Sequence, residues 1–221
     1  MSQVVRFATA GARIPSSSKR FASTTTAAAA MGGGNLKMIA VSGSLRKGSF
    51  NSGLVRAARE IVKESFEDVE LEHVDISQLP FLNTDLEQDG QFPGVVEDFR
   101  AKVLGADAVL FASPEYNYSI TAPLKNALDW ASRNPNAWAG KPAAIVSAGG
   151  GFGGGRAQYH LRQVGVFLDL HFINKPELFV AAFQAPPKFD SDGNLVDPDT
   201  RTRLKALLLA LRQWTLKLKE C

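Results

Sequence analysis

Apolar and polar positions change period repeatedly after residue 35. LKMIAVS (36–42) is a short apolar run of the kind a buried strand shows. NSGLVRAAREIVKE (51–64) follows, with Leu54, Val55, Ala58, Ile61 and Val62 at helical spacing and Asn51 or Ser52 expected at the N-cap. VELEHVD (69–75) predicts a second strand, PGVVEDFRAKVLGA (93–106) a helix and DAVLFAS (107–113) a third strand. APLKNALDWAS (122–132) is the next helix, with Pro123 in its first turn, and KPAAIVSA (141–148) the fourth strand. A helix is expected over 156–169, a fifth strand within 171–180 and a last helix over 202–219, whose Leu204, Leu207, Leu208, Leu211 and Leu218 form an apolar stripe. AFQAPPKFDSDGNLVDPD (182–199) reads as a long irregular connection. Five strands alternating with helices predict an α/β fold: a doubly wound, five-stranded parallel sheet with helices on both faces. In such a sheet ligands lie beyond the carboxyl ends of the strands, where the strand order reverses.

At 221 residues and 45% hydrophobic content the chain can bury one core, expected over 35–221. Its formal charge of +3 is unevenly placed. Residues 1–30 hold Arg6, Arg13, Lys19 and Arg20 and no acid, so the remainder has 21 bases against 22 acids, a net −1. The electrostatic footprint of a nucleic-acid binder is therefore missing, and no apolar run reaches the length of a membrane span. Segment 1–34, rich in Arg, Ser, Thr and Ala, has the composition of a transit peptide. RFAS (20–23) favours a mitochondrial destination, with chloroplast import or a cytoplasmic form starting at Met31 as alternatives. Cys221 is the only cysteine, which excludes disulfides, a CxxC redox pair and a thiolate metal site.

Three loops at the carboxyl edge carry candidate chemistry. GSLRKGSFN (43–51) combines two glycines, the short donors Ser44, Ser49 and Asn51, and Arg46, directly before a helix whose N-terminus favours anions. It lacks the GK[ST] ending of a nucleoside-triphosphate loop and the G-x-G-x-x-G of a dinucleotide site, so a terminal monophosphate suits it best. Ser and Asn also cap helices, so the loop alone equally suits a plain helix start. SPEYNYSITAP (113–123) offers a rigid turn with an aromatic wall; alone it fits an ordinary turn better, and its place after an apolar strand, opposite the first loop, is what favours the edge of a flat heterocycle. AGGGFGGGR (148–156) satisfies G-x-G-x-x-G formally, yet it follows the fourth strand rather than the first of a unit, and Asp169, twenty residues on, ends a helix. It reads instead as bare backbone against which a ring can lie.

In this order and spacing, GSLRKGSFN, SPEYNYSITAPLKNALDW and the glycine loop resemble the NADPH-dependent FMN reductase family, in particular its plant and bacterial NAD(P)H:quinone reductases. The likeness spans about 36–220. It implies a flavodoxin-like fold, bound FMN, NADPH or NADH as hydride donor, a quinone as acceptor, and a homodimer or homotetramer. By resemblance Ser44, Arg46, Ser49 and Asn51 hold the FMN phosphate. Pro114, Glu115, Tyr116 and Asn117 line the ribityl chain and ring, and Ser147, Gly149 and Gly150 the opposite ring edge. No catalytic side chain is assigned and no metal is implied. Release of reduced FMN, reduction of azo dyes or chromate, and one-electron carriage are the rival readings. The last fits poorly with a nearly neutral domain.

Overall fold

The computed structural model describes residues 35–220; the transit-peptide reading of 1–34 lies outside them. The elements run β1 (Leu36–Ser42), α1 (Phe50–Ser65), β2 (Val69–Val74), α2 (Gly94–Leu104), β3 (Ala108–Ala112), α3 (Ala122–Ser132), β4 (Pro142–Gly149), α4 (Gly155–Phe167), β5 (His171–Phe172), β6 (Leu178–Ala181) and α5 (Pro198–Lys219). All strand pairs are parallel, in the order β2-β1-β3-β4, with β5 and β6 both paired to β4.

The continuous apolar runs of β1 and β3 follow from burial on both faces. Successive side chains point oppositely. Met38, Ala40, Ala108, Leu110 and Ala112 therefore join α1 and α5 in one core, while Ile39, Val41, Val109 and Phe111 join α2, α3 and α4 in the other. The expected fold is thus present, and the order reverses between β1 and β3 as a flavodoxin-like sheet requires. Among the described residues no helix is long and apolar enough to cross a membrane.

Four local expectations change. The fifth strand is split: Ala143 pairs with Phe172 and Val146 with Leu178, so three steps along β4 face six steps of the partner chain. The bulged segment contains Pro176, which has no N–H to give a ladder. α5 begins at Pro198 rather than 202, because Asp197 caps it, accepting from the Thr200 N–H at 2.8 Å. The N-cap of α1 is Ser49, whose hydroxyl accepts from the Ser52 N–H at 3.4 Å, rather than Asn51 or Ser52. The 182–199 connection contains an antiparallel bridge between Phe189 and Leu195, closed by a turn at Gly193.

Candidate functional site

The loops after β1, β3 and β4 meet at one edge and are tied together by specific bonds. Asn51, 3% exposed, binds Ala148 twice: its side-chain amide donates to the Ala148 carbonyl at 2.9 Å, and its carbonyl oxygen accepts the Ala148 N–H at 3.0 Å. The start of α1 is thereby locked to the end of β4. Thr121 caps α3, and its hydroxyl donates to the Gly43 carbonyl, locking the β3 loop to the β1 loop.

Within the first loop the Ser44 hydroxyl accepts from the Arg46 N–H at 3.4 Å. The Arg46 guanidinium donates to the Gly48 carbonyl at 2.9 Å and stands 5.9 Å from the Phe50 ring. Its positive charge is therefore held over the loop at the N-terminus of α1, whose first amides have no intrahelical acceptor.

The second loop folds as a tight turn. Tyr116 and Ser119 exchange both backbone bonds at 3.0 Å, and Asn117 and Tyr118 take φ of 50° and 65°. Asn tolerates this left-handed region, whereas Tyr does so at a cost. The turn presents Tyr118 to Arg156, whose guanidinium lies 4.1 Å from the Tyr118 ring and 4.7 Å from the Phe152 ring. Glu115 accepts the Arg156 and Ala157 N–H groups at 2.9 and 3.4 Å and the Arg156 side chain at 3.2 Å. This carboxylate caps α4, whose own cap position is Gly154 and offers no side chain.

Beneath the glycine loop the Ser147 hydroxyl donates to the Gly153 carbonyl at 2.6 Å and accepts from the Gln158 amide at 2.8 Å. Gly154, at φ 84°, lies so close that an added Cβ would meet the Ser147 Cβ at 2.7 Å. Gly150 and Gly151 face open space, leaving bare backbone toward the cleft.

Two chambers result. One, of about 440 Å³, gathers Ser44, Arg46, Ser49, Asn51, Pro114, Glu115, Tyr116, Gly149 and Gly150. The other, of about 370 Å³, shares Glu115 and Gly150 with it and contains Asn117. Ser147, fully buried, underlies the glycine loop instead of lining either chamber. Sequence reasoning missed Phe50, Ala148 and Phe183 in the first chamber and Arg156 as a wall of the second, which Tyr118 and Phe152 also line. Phe183 had no local signal, because it reaches the cleft from the connection that follows the last strand. His160 shares a 3.1 Å hydrogen bond with the Ser119 hydroxyl of the turn.

The donor set suits FMN. A cationic side chain, two hydroxyls and a helix N-terminus at one end match a phosphate monoester. Side-chain-free glycine backbone further along leaves room for a flat ring. Residues 36–185 match the family model described as NADPH-dependent FMN reductase. The chain belongs to that family. A Solanum tuberosum relative called NAD(P)H:quinone oxidoreductase is 69% identical over 184 residues, 83% of this chain and 95% of the relative. An Arabidopsis thaliana NADPH:quinone oxidoreductase is 65% identical over 83% of this chain and 94% of its own. Among solved structures, the FerB flavoenzyme NAD(P)H:(acceptor) oxidoreductase of Paracoccus denitrificans superposes with a TM-score of 0.71 at 31% identity, covering 82% of this chain and 98% of that one. This FMN reductase family member thus shares most of its doubly wound domain with that flavoenzyme.

Proposed function

We propose that the protein is an FMN-dependent NAD(P)H:quinone oxidoreductase in which the nicotinamide donor and the quinone visit one cleft in turn. The observation that carries this reading is the pair of joined chambers, one built for an anion and the other open and walled by aromatic side chains. The names of relatives above 60% identity support the quinone as acceptor.

Bound FMN supplies a ring that takes up a hydride and gives back two electrons. The chain's own residues bind and orient. Ser44, Ser49, Arg46 and the first turn of α1 hold the phosphate, and Asn51 keeps that turn in register with Ala148. Pro114, Glu115 and Tyr116 form one wall, and the Gly149–Gly150 backbone the other. Asn117, Tyr118, Phe152 and Arg156 bound the space in which the two substrates alternate.

Shared occupancy predicts parallel double-reciprocal plots when NADPH is varied at several fixed quinone concentrations. Intersecting lines would mean a ternary complex and a second quinone site, and would overturn this reading.

The Arg- and Ser-rich, acid-free composition of 1–30 supports import into an organelle, mitochondria ahead of plastids. A fluorescent protein fused behind residues 1–30 should co-localise with a mitochondrial dye. A diffuse cytoplasmic signal would remove the import reading.

A further inference from the structure

The tip of the 189–195 hairpin is pressed against the start of α1. A Cβ placed on Gly53, in the first turn of that helix, would meet the Gly193 carbonyl oxygen at 1.8 Å. Glycine is unfavourable inside a helix, so its presence here answers to this close approach. Gly193 itself takes φ 79°, and a Cβ there would meet the Gly48 carbonyl oxygen at 2.8 Å. The hairpin tip therefore touches the phosphate loop and the helix turn behind it.

The tip is also held by a fork. Arg56 Nε donates to Asn194 Oδ1 at 2.7 Å, and its terminal nitrogen to the Asp192 carbonyl at 3.3 Å. Asn194 is fixed in turn by Asp190, which accepts its side-chain amide at 3.0 Å and its backbone N–H at 2.8 Å. On the other side of the loop Phe50 stacks on Phe189 at 4.5 Å and meets the Phe183 ring edge-on at 5.7 Å.

From this arrangement we infer that the 189–195 hairpin, clamped by Arg56, is a positioning device that sets the phosphate loop for the FMN monophosphate. The inference rests on the reading that residues 43–51 hold that phosphate. Arg56 and Asn194 are positioning residues: they act through Gly193 on Gly48 and Ser49 and do not touch the anion themselves. Loosening the clamp lets the loop depart from its donor geometry and weakens recognition of the phosphate, while the glycine-loop side of the cleft, held by Asn51 and Ser147, keeps its form.

The test compares FMN with riboflavin, which lacks the phosphate, by quenching of flavin fluorescence on titration into the apoprotein. Arg46→Ala serves as the control for the phosphate reading. Arg56→Gln and Asn194→Ala are each expected to raise the FMN dissociation constant about fivefold, the scale of one or two lost hydrogen bonds, and to leave that for riboflavin unchanged. Arg56→Lys keeps the charge but cannot span Asn194 and Asp192 together, so it should behave like Arg56→Gln. Wild-type FMN affinity in Arg56→Gln and Asn194→Ala, with loss in Arg46→Ala, would overturn the positioning role and leave the phosphate reading intact. Equal loss for FMN and riboflavin would reduce the clamp to general stability and also overturn it. Rescue by Arg56→Lys would reduce Arg56 to a charge. No effect of Arg46→Ala on FMN would remove the phosphate reading and the inference with it.

Discussion

Asn51 was expected among the phosphate donors, and in the fold both ends of its carboxamide are bound to Ala148. In sequence it looks like a phosphate donor because any short polar side chain beside a helix N-terminus does. Its bonds across 97 residues make it the joint between the first and third loops of the site. Replacing Asn51 with Ala strands a buried N–H and a buried C=O of Ala148. Each unsatisfied group costs about 1–3 kcal/mol, so urea unfolding of the apoprotein should show a loss of roughly 2–6 kcal/mol. Asn51→Asp keeps the acceptor and sets a carboxylate against the Ala148 carbonyl, and should be no better. An unchanged urea midpoint in the alanine variant would show that the joint carries no weight. Ser49 makes the complementary point: the residue lines the chamber while its hydroxyl caps α1.

At the scale of elements, α4 starts without a side-chain cap of its own. Gly154 holds the left-handed position that lets the glycine loop turn beneath the cleft, and Glu115, from the loop after β3, supplies the missing acceptor. A carboxylate at a helix N-terminus is favoured by the dipole as well as by the bonds. Glu115→Ala should therefore lower stability by about 1–2 kcal/mol and free Arg156 from its ion pair, with Glu115→Gln in between. Thermal unfolding of the three proteins checks the order, and identical melting temperatures would refute the cap. The fifth sheet position teaches a related lesson. HFINKPELFV contains enough β-branched and aromatic residues to read as one strand, but Pro176 breaks the ladder, and β4 accepts two short partners instead.

For the molecule as a whole, α5 is fastened to the loop before β2 by Arg212, which donates twice to one Asp68 oxygen, at 3.0 and 2.6 Å, and once to the other at 2.9 Å. Hydrogen bonding to Arg212 holds the Asp68 carboxyl below its ordinary value; burial opposes it, and the Arg212 charge adds a smaller lowering. Asp75 is lowered too, chiefly by the Ser77 N–H. A carboxyl depressed in the folded state contributes stability above its unfolded pKa of about 3.9 and loses it as pH falls through the folded value. The contribution of these two carboxyls should thus be fully present above about pH 5 and decline below about pH 4. Arg212→Met should flatten that acid limb while lowering the plateau. Urea midpoints across the acid range would decide it, an unaltered acid slope in the variant counting against the Asp68 linkage.

The sequence by itself determined whatever depends on neighbours within a few residues. Apolar runs of strand length, separated by helical stripes, required a parallel sheet covered on both faces. The composition of 43–51, 113–123 and 148–156 marked three loops at one edge, and nine of the eleven expected site residues line a single chamber. Tertiary structure decided what depends on distant pairs. Ser147 and Gln158 support the glycine loop from below, Glu115 caps a helix that begins forty residues on, and Gly193 lands on Gly53. None of these has a local period or motif. Each depends on where the sheet delivers a loop end, and hydrogen bonding and close packing there act over ångströms in space regardless of separation along the chain.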